Sequence, residues 1–276
     1  MQENNLILRA EEIEKLRLSE KSLHTARSLF EIHGYLKIEN VFTREFVQTL
    51  AEELFAQIDG NSISEEGAQI HRNRYIVPVR LRGSFSNPAF YANPILLSLF
   101  RSLLGPDCIL HSLGAVISLP GATEQHIHSD YGPLFEEEPF LRGALPPYAL
   151  TVAIPLVDID WLNGPTKIWS GSHRTALGKE SLDQYPRHLV CGPMGSCYFW
   201  DYRTLHAGGS NHSDQMRPLL YMAVTRRWFK DYLNPEQLII EGEIPDEHRD
   251  LFPIPRKRLD DHRFQDQVKT LLKSSF

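Results

Sequence analysis

"CILHSLGAVISLPG" occupies Cys108–Gly121, and the chain changes character there. The run is apolar, rich in branched residues and closed by a Pro-Gly turn signal, which is the texture of a buried strand. Three further runs share it: "YALTVAIPLVDID" (Tyr148–Asp160), "HLVCGPMGSCYFWD" (His188–Asp201) and "RPLLYMAVTRRWF" (Arg217–Phe229). Between and within them stand Pro146-Pro147, Asn163-Gly164-Pro165, Gly192-Pro193 and Gly208-Gly209. Several short strands separated by such turns predict a sandwich or barrel.

Upstream of Asp107 the apolar period becomes helical. Leu23, Ala26, Leu29 and Phe30 share one face, and Gly34 can stop that helix. Thr43 can cap a second one, whose face is Phe46, Val47, Leu50, Leu54, Phe55 and Ile58, with Gly60 at its end. Asn93-Pro94 opens a third, which Gly105-Pro106 closes. "YLKIENVF" (Tyr35–Phe42) alternates like a short strand. The expected fold is therefore mainly β, with an amino-terminal layer of α-helices. Low-complexity linkers and internal repeats are absent, so one domain is expected over 1–276: a helical part to about 106, a β core over about 107–230 and an extension from about 231. The extension carries a weak helical period through Phe264, Val268, Leu271 and Leu272.

The bulk properties exclude several roles. A net charge of −6 on 276 residues argues against a nucleic-acid partner, which needs a basic footprint. No run approaches the roughly 20 apolar residues that span a bilayer, and "MQENNLILRAEEIEK" is too acidic for a transit peptide. Three cysteines without a CxxC spacing indicate neither a disulfide framework nor a zinc knuckle, so a reduced, cytoplasmic setting is expected. Oligomeric state leaves no trace in the sequence.

Chemistry concentrates in "EQHIHSD" (Glu124–Asp130). On a strand, residues two apart point the same way, so His128 and Asp130 would converge with one imidazole nitrogen and one carboxylate. His206, after a strand and before the glycine pair, is the best third donor. Two histidines and one carboxylate on one face of an octahedron leave three positions open, the arrangement of non-haem Fe(II) oxygenases. Arg217 lies eleven residues beyond His206 at the start of the next apolar run. Its fork suits a carboxylate, which suggests a small dicarboxylate chelating iron at one end and pairing with Arg217 at the other. A His126/His128/His206 set would be a zinc-like alternative, and His212 is a second candidate for the distal histidine, in a polar turn.

Here the sequence resembles the phytanoyl-CoA dioxygenase-like Fe(II)/2-oxoglutarate oxygenases. The resemblance rests on "HSD" (His128–Asp130), "NGPTKIWSGSHR" (Asn163–Arg174) and "GSCYFWDYRTLHAGGSNHSDQMRPLLY" (Gly195–Tyr221), in that order, and covers roughly Leu110 to Trp228. It implies a double-stranded β-helix (jelly-roll, cupin-like) core that uses Fe(II), 2-oxoglutarate and O2. It implies His128, Asp130 and His206 as metal ligands, Arg217 on the C5 carboxylate of 2-oxoglutarate, and Thr151 as a second cosubstrate contact. Halogenating relatives carry Gly or Ala where Asp130 stands, so the resemblance implies a dioxygenase that hydroxylates, or desaturates, a C–H bond of a small-molecule metabolite. Succinate and CO2 would be released, and neither nucleic acid nor membrane would be a partner. Two other readings compete: a jelly roll that binds a ligand without turnover, and a zinc-type isomerase or hydrolase on the same barrel.

The remaining polar and aromatic features read as scaffold. Asn163-Gly164 and Gly171-Ser172-His173 are expected to fix loops at the barrel rim. Arg72, Arg74, Arg80 and Arg82 would form one solvated face of a strand, with contact to an anionic substrate group as the alternative. Tyr198, Phe199, Trp200 and Tyr202 are expected to pack the barrel, as are Trp161, Trp169 and Trp228. The loop Tyr131–Tyr148, with "FEEEPF" (Phe135–Phe140), stands just beyond Asp130 and could serve as a lid.

Overall fold

In the computed structural model, residues 4–58, 63–135, 137–138, 140–175, 179–233 and 238–253 are described. The strands begin with β1 (Asn5–Ile7), β2 (Tyr35–Glu39), β3 (Ala68–His71), β4 (Arg74–Pro78), β5 (Arg80–Leu81) and β6 (Ile109–Ser118). They continue with β7 (Ala149–Pro155), β8 (Thr166–Trp169), β9 (Arg187–Val190), β10 (Cys197–Asp201), β11 (His206–Gly208), β12 (Arg217–Thr225) and β13 (Ile239–Ile240). The large sheet has the order β1-β2-β10-β7-β12-β6-β4-β3, and a small sheet has the order β11-β8-β9. Apart from the parallel β1–β2 pair, the neighbours in both are antiparallel. Two facing antiparallel sheets are the jelly-roll architecture the sequence implied. The amino-terminal third is more than a helical layer, because it also supplies β1 to β4 of the large sheet.

Period-two alternation sorts each strand into two faces. On β7, β10 and β12, Leu150, Val152, Ile154, Cys197, Phe199, Leu220, Met222 and Val224 all belong to the main apolar cluster, together with Phe30, Leu50, Leu54, Leu96 and Phe100 from the helices. This outer face is covered by the helices Glu20–His33, Arg44–Ile58 and Pro94–Leu104. Each of these large side chains contributes about 1.5–3 kcal/mol by leaving water. Their termini follow the sequence signals. Gly34 closes the first helix in the left-handed conformation, φ 74°. Thr43 Oγ1 accepts from the Phe46 amide at 3.2 Å, and Asn93 caps Pro94–Leu104 through the Ile95 amide at 3.0 Å. Gly60 and the carboxyl-terminal helical period, from Phe264 onward, fall outside the described residues.

The alternate residues face the small sheet. Tyr198, Trp200, Ala153 and Leu219 pack there with Ile168 and Val190. This inner face also carries Thr151, Ser118, Arg74 and Arg217, all buried. Two aromatic expectations need correction. Trp161 is 74% and Trp228 67% exposed, because both sit on connections rather than on strands, whereas Trp169 and Trp200 are buried as expected. Among the described residues no helix is long and apolar enough to cross a membrane.

Candidate metal centre

His128 and His206 face each other across an isolated antiparallel bridge. The His128 amide donates to the His206 carbonyl at 3.0 Å, and the His206 amide donates back to His128 at 2.8 Å. This reciprocal pair holds the two imidazoles with ring centres 4.3 Å apart. Each ring is then oriented by its own neighbourhood: His128 Nδ1 is 2.7 Å from the carbonyl of His126, and His206 Nδ1 is 3.0 Å from that of Thr204. A carbonyl can only accept, so Nδ1 carries the proton in both rings. The Nε2 lone pairs are left for a metal, the tautomer a metal-ligating histidine needs.

Asp130 completes the group. Its Oδ2 accepts from Thr151 Oγ1 at 2.5 Å and from Trp200 Nε1 at 2.8 Å, and its Oδ1 stands 3.5 Å from His206 Nε2. One donor atom from each of His128, Asp130 and His206 lies within 4.8 Å of the others, and among the described residues this is the group of metal-ligating side chains so clustered. The zinc-like alternative is not assembled. His126 is exposed and packs its ring on His71 at 5.2 Å, and His212 is exposed. The donor set of two nitrogens and one oxygen suits a borderline divalent ion with open positions.

The site opens into a cavity of about 360 Å³ whose walls include Ile76, Val116, Tyr202 and Tyr221 beside the three donors. Thr151 lines it too, but its hydroxyl is committed to Asp130. Arg217 sits one strand away from Arg74, with Ser118 of the intervening β6 opposite both. All three are buried. Arg217 Nη2 donates to Ser118 Oγ at 3.0 Å, while its Nε and Nη1 have no acceptor. Arg74 donates through Nη2 to the carbonyls of Gly209 (2.7 Å) and Thr123 (3.2 Å), and its Nε has none. Burial, and then the charge of Arg217, push the Arg74 guanidinium down to about 10; burial also lowers Arg217. Two adjacent buried cations with unmet donors are costly unless an anion joins them.

The sequence set Arg74 among four arginines on a solvated strand face, with contact to an anionic group as the alternative, and singled out none of the four. Arg72 and Arg82 are exposed and Arg80 half-exposed, with Arg80 and Arg82 sharing Glu241 at 2.9 and 3.3 Å, while Arg74 leaves that face and turns inward. The one signal available was Gly208. A Cβ there would meet Arg74 Nη1 at 2.7 Å and Gln125 Oε1 at 2.4 Å, so the glycine pair read as a turn is also the passage for this side chain. Trp200 was also missed as a polar contributor, because its indole N–H is invisible to a packing argument. His173 is buried away from the cavity, and its Nε2 is 3.2 Å from the carbonyl of Glu31. The loop after Asp130 leaves Phe135 and Phe140 exposed, and Tyr131 and Tyr148 anchor it on Phe229 with ring centres 5.1 and 4.7 Å away.

The sequence profile of the family described as Phytanoyl-CoA dioxygenase (PhyH) matches residues 30–219. The chain is 26% identical over 244 residues to an ectoine dioxygenase of Bordetella parapertussis, spanning 75% of each protein. It is 26% identical over 208 residues to the iron/alpha-ketoglutarate-dependent dioxygenase okaE of Penicillium ochrochloron, covering 69% of this chain and 67% of that one. Among solved structures it superposes on the epimerase SnoN in complex with Fe3+, alpha ketoglutarate and nogalamycin RO. The TM-score is 0.62 at 18% identity, covering 82% of this chain and 98% of that one, a likeness of fold.

Proposed function

Because the chain belongs to the phytanoyl-CoA dioxygenase (PhyH) family, we propose that it is an Fe(II)/2-oxoglutarate-dependent dioxygenase that hydroxylates a C–H bond of a small-molecule metabolite. One observation carries the reading. A one-sided His-Asp-His donor set and a pair of buried guanidiniums with unmet N–H groups occupy the same inner face. The names of the ectoine dioxygenase and of the iron/alpha-ketoglutarate-dependent okaE support the cofactor assignment by kinship.

His128, Asp130 and His206 would hold the iron. Arg217, with Ser118 and Arg74 beside it, would hold the distal carboxylate of 2-oxoglutarate, whose oxygens would give the orphaned N–H groups their acceptors. When bound, iron and 2-oxoglutarate supply with O2 an oxidant for unactivated C–H bonds, and succinate and CO2 leave. The chain's own residues do the placing. The carbonyls of His126 and Thr204 select the Nδ1–H tautomer of each neutral ring, which turns Nε2 toward the ion. Thr151 and Trp200 occupy Oδ2 of Asp130, so that Oδ1 is presented to the ion. Ile76 and Val116 make the wall apolar, which limits water around the reacting atoms. A cavity of about 360 Å³ suits a small molecule rather than a folded partner.

Succinate release from the purified protein, measured with and without Fe(II), 2-oxoglutarate and O2, tests the proposal. Release is expected only when all three are present. No release above background with iron added would favour a non-catalytic binding protein, and turnover with zinc in the absence of O2 would favour a hydrolase or isomerase.

A further inference from the structure

A second cavity, of about 420 Å³, shares no lining residue with the first. Arg27, Arg101, Arg142, Arg174, Arg203 and Arg226 all line it. Two of the six are neutralised: Arg27 by Glu31 at 2.7 Å and Arg203 by Asp201 at 2.7 Å. Among the described residues, no carboxylate forms an ion pair with Arg101, Arg142, Arg174 or Arg226. Backbone carbonyls hold some of these groups in place without cancelling their charge. Arg226 donates to Pro147 (2.7 Å) and Leu103 (3.2 Å), and Arg142 Nη2 donates to Arg203 at 2.9 Å. The Nε of Arg142 is buried with no acceptor. Burial lowers the Arg142 guanidinium, the charge of Arg203 adds to that, and the more distant Asp201 partly opposes it.

Four unneutralised guanidiniums around one concavity, on a chain whose net charge is −6, are a local reversal of sign. A single carboxylate would leave most of that charge unmet. A phosphoryl group brings nearly two negative charges and several acceptor oxygens, and the guanidinium fork matches its geometry. The cavity has many times the roughly 30 Å³ share of one water molecule, so it has room for a group that carries the phosphate. We propose that this arginine-lined cavity binds a phosphoryl-bearing small molecule, with Arg101, Arg142 and Arg174 as its principal cationic contacts. The site is independent of iron. It is nevertheless tied to the metal centre by two short stretches of chain: residues 130–142 lead from Asp130 to Arg142, and 203–206 lead from Arg203 to His206.

Isothermal calorimetry on the full chain, without metal and at low ionic strength, tests this with inorganic pyrophosphate and with ribose 5-phosphate as probes. One saturable site per chain is expected. Tighter binding of ribose 5-phosphate would identify an organic phosphate as the ligand class, and tighter pyrophosphate binding a free inorganic anion. Arg101→Glu with Arg174→Glu, both on exposed side chains that leave the core untouched, should weaken binding about tenfold or more. Arg142→Gln should weaken it as well, and Arg217→Met, on the inner face of the large sheet, should not. The absence of saturable binding of either probe overturns the proposal, and so does binding that Arg217→Met abolishes while the Arg101/Arg174 variant retains it.

Discussion

Arg203 and Arg217 are both buried, and they were built for different ends. Arg203 meets Asp201 through Nε at 2.8 Å and Nη2 at 2.7 Å, and its Nη1 donates to the carbonyls of Arg142 (2.7 Å) and Leu145 (2.9 Å). Every donor group of its fork is engaged. Arg217 donates to the Ser118 hydroxyl, lies against the Tyr221 hydroxyl and a neighbouring cation, and keeps two nitrogens without acceptors. A buried ion pair completed by its own chain is scaffold, whereas a buried cation left incomplete implies an anion from outside.

Substitutions can break that contrast. The largest effect should come from the metal centre itself. Asp130→Ala removes one of three donors and should lower succinate formation by about a thousandfold or more, together with bound iron measured by elemental analysis. Next comes the clamp. Arg203→Met leaves Asp201 as a buried, unpaired carboxylate and should cost about 3–5 kcal/mol of stability, read by urea unfolding. Arg217→Met should stay within about 1 kcal/mol of the parent in the same assay without cosubstrate, because it removes an unmet charge rather than exposing one. It should still raise the 2-oxoglutarate requirement about a hundredfold. Equal destabilisation by the two methionine variants would erase the distinction.

Smaller effects sharpen it. Thr151→Val deletes one of the two donors to Asp130 Oδ2 and should weaken iron binding about tenfold, the usual range for a residue that orients a ligand. The pH dependence of stability should carry the mark of His173, which lies near the clamp. Burial holds its imidazole down to about 4, against the partial opposing pull of Asp201. The unfolded chain therefore binds a proton that the folded chain refuses between about pH 6.5 and pH 4. Stability should fall as pH drops through that window, by at most about 3 kcal/mol, and His173→Gln should flatten the fall in pH-resolved melting curves.

How much of this was legible in the sequence depended on distance along the chain. His128 and Asp130 are two apart, so their nearness was local and readable, although an isolated bridge and a bend hold them where a strand was expected. The helix ends at Gly34, Thr43 and Asn93 were equally local. The row of Arg74, Ser118 and Arg217 was not, since it joins strands up to 99 residues apart between Ser118 and Arg217 and depends on a register that no local pattern encodes. Trp161 and Trp228 show the converse error: aromatic identity suggested packing, while position on a connection decided exposure. Trp200 was placed in the barrel correctly, yet its contribution to the site is a single N–H.

The mutual amide bonds between His128 and His206 have a mechanical consequence. Two of the three donors sit on main-chain segments already bonded to each other, so the ion need not pull them together. Loading should release little heat from chain ordering, and stripping the metal should leave a receptacle ready to be refilled.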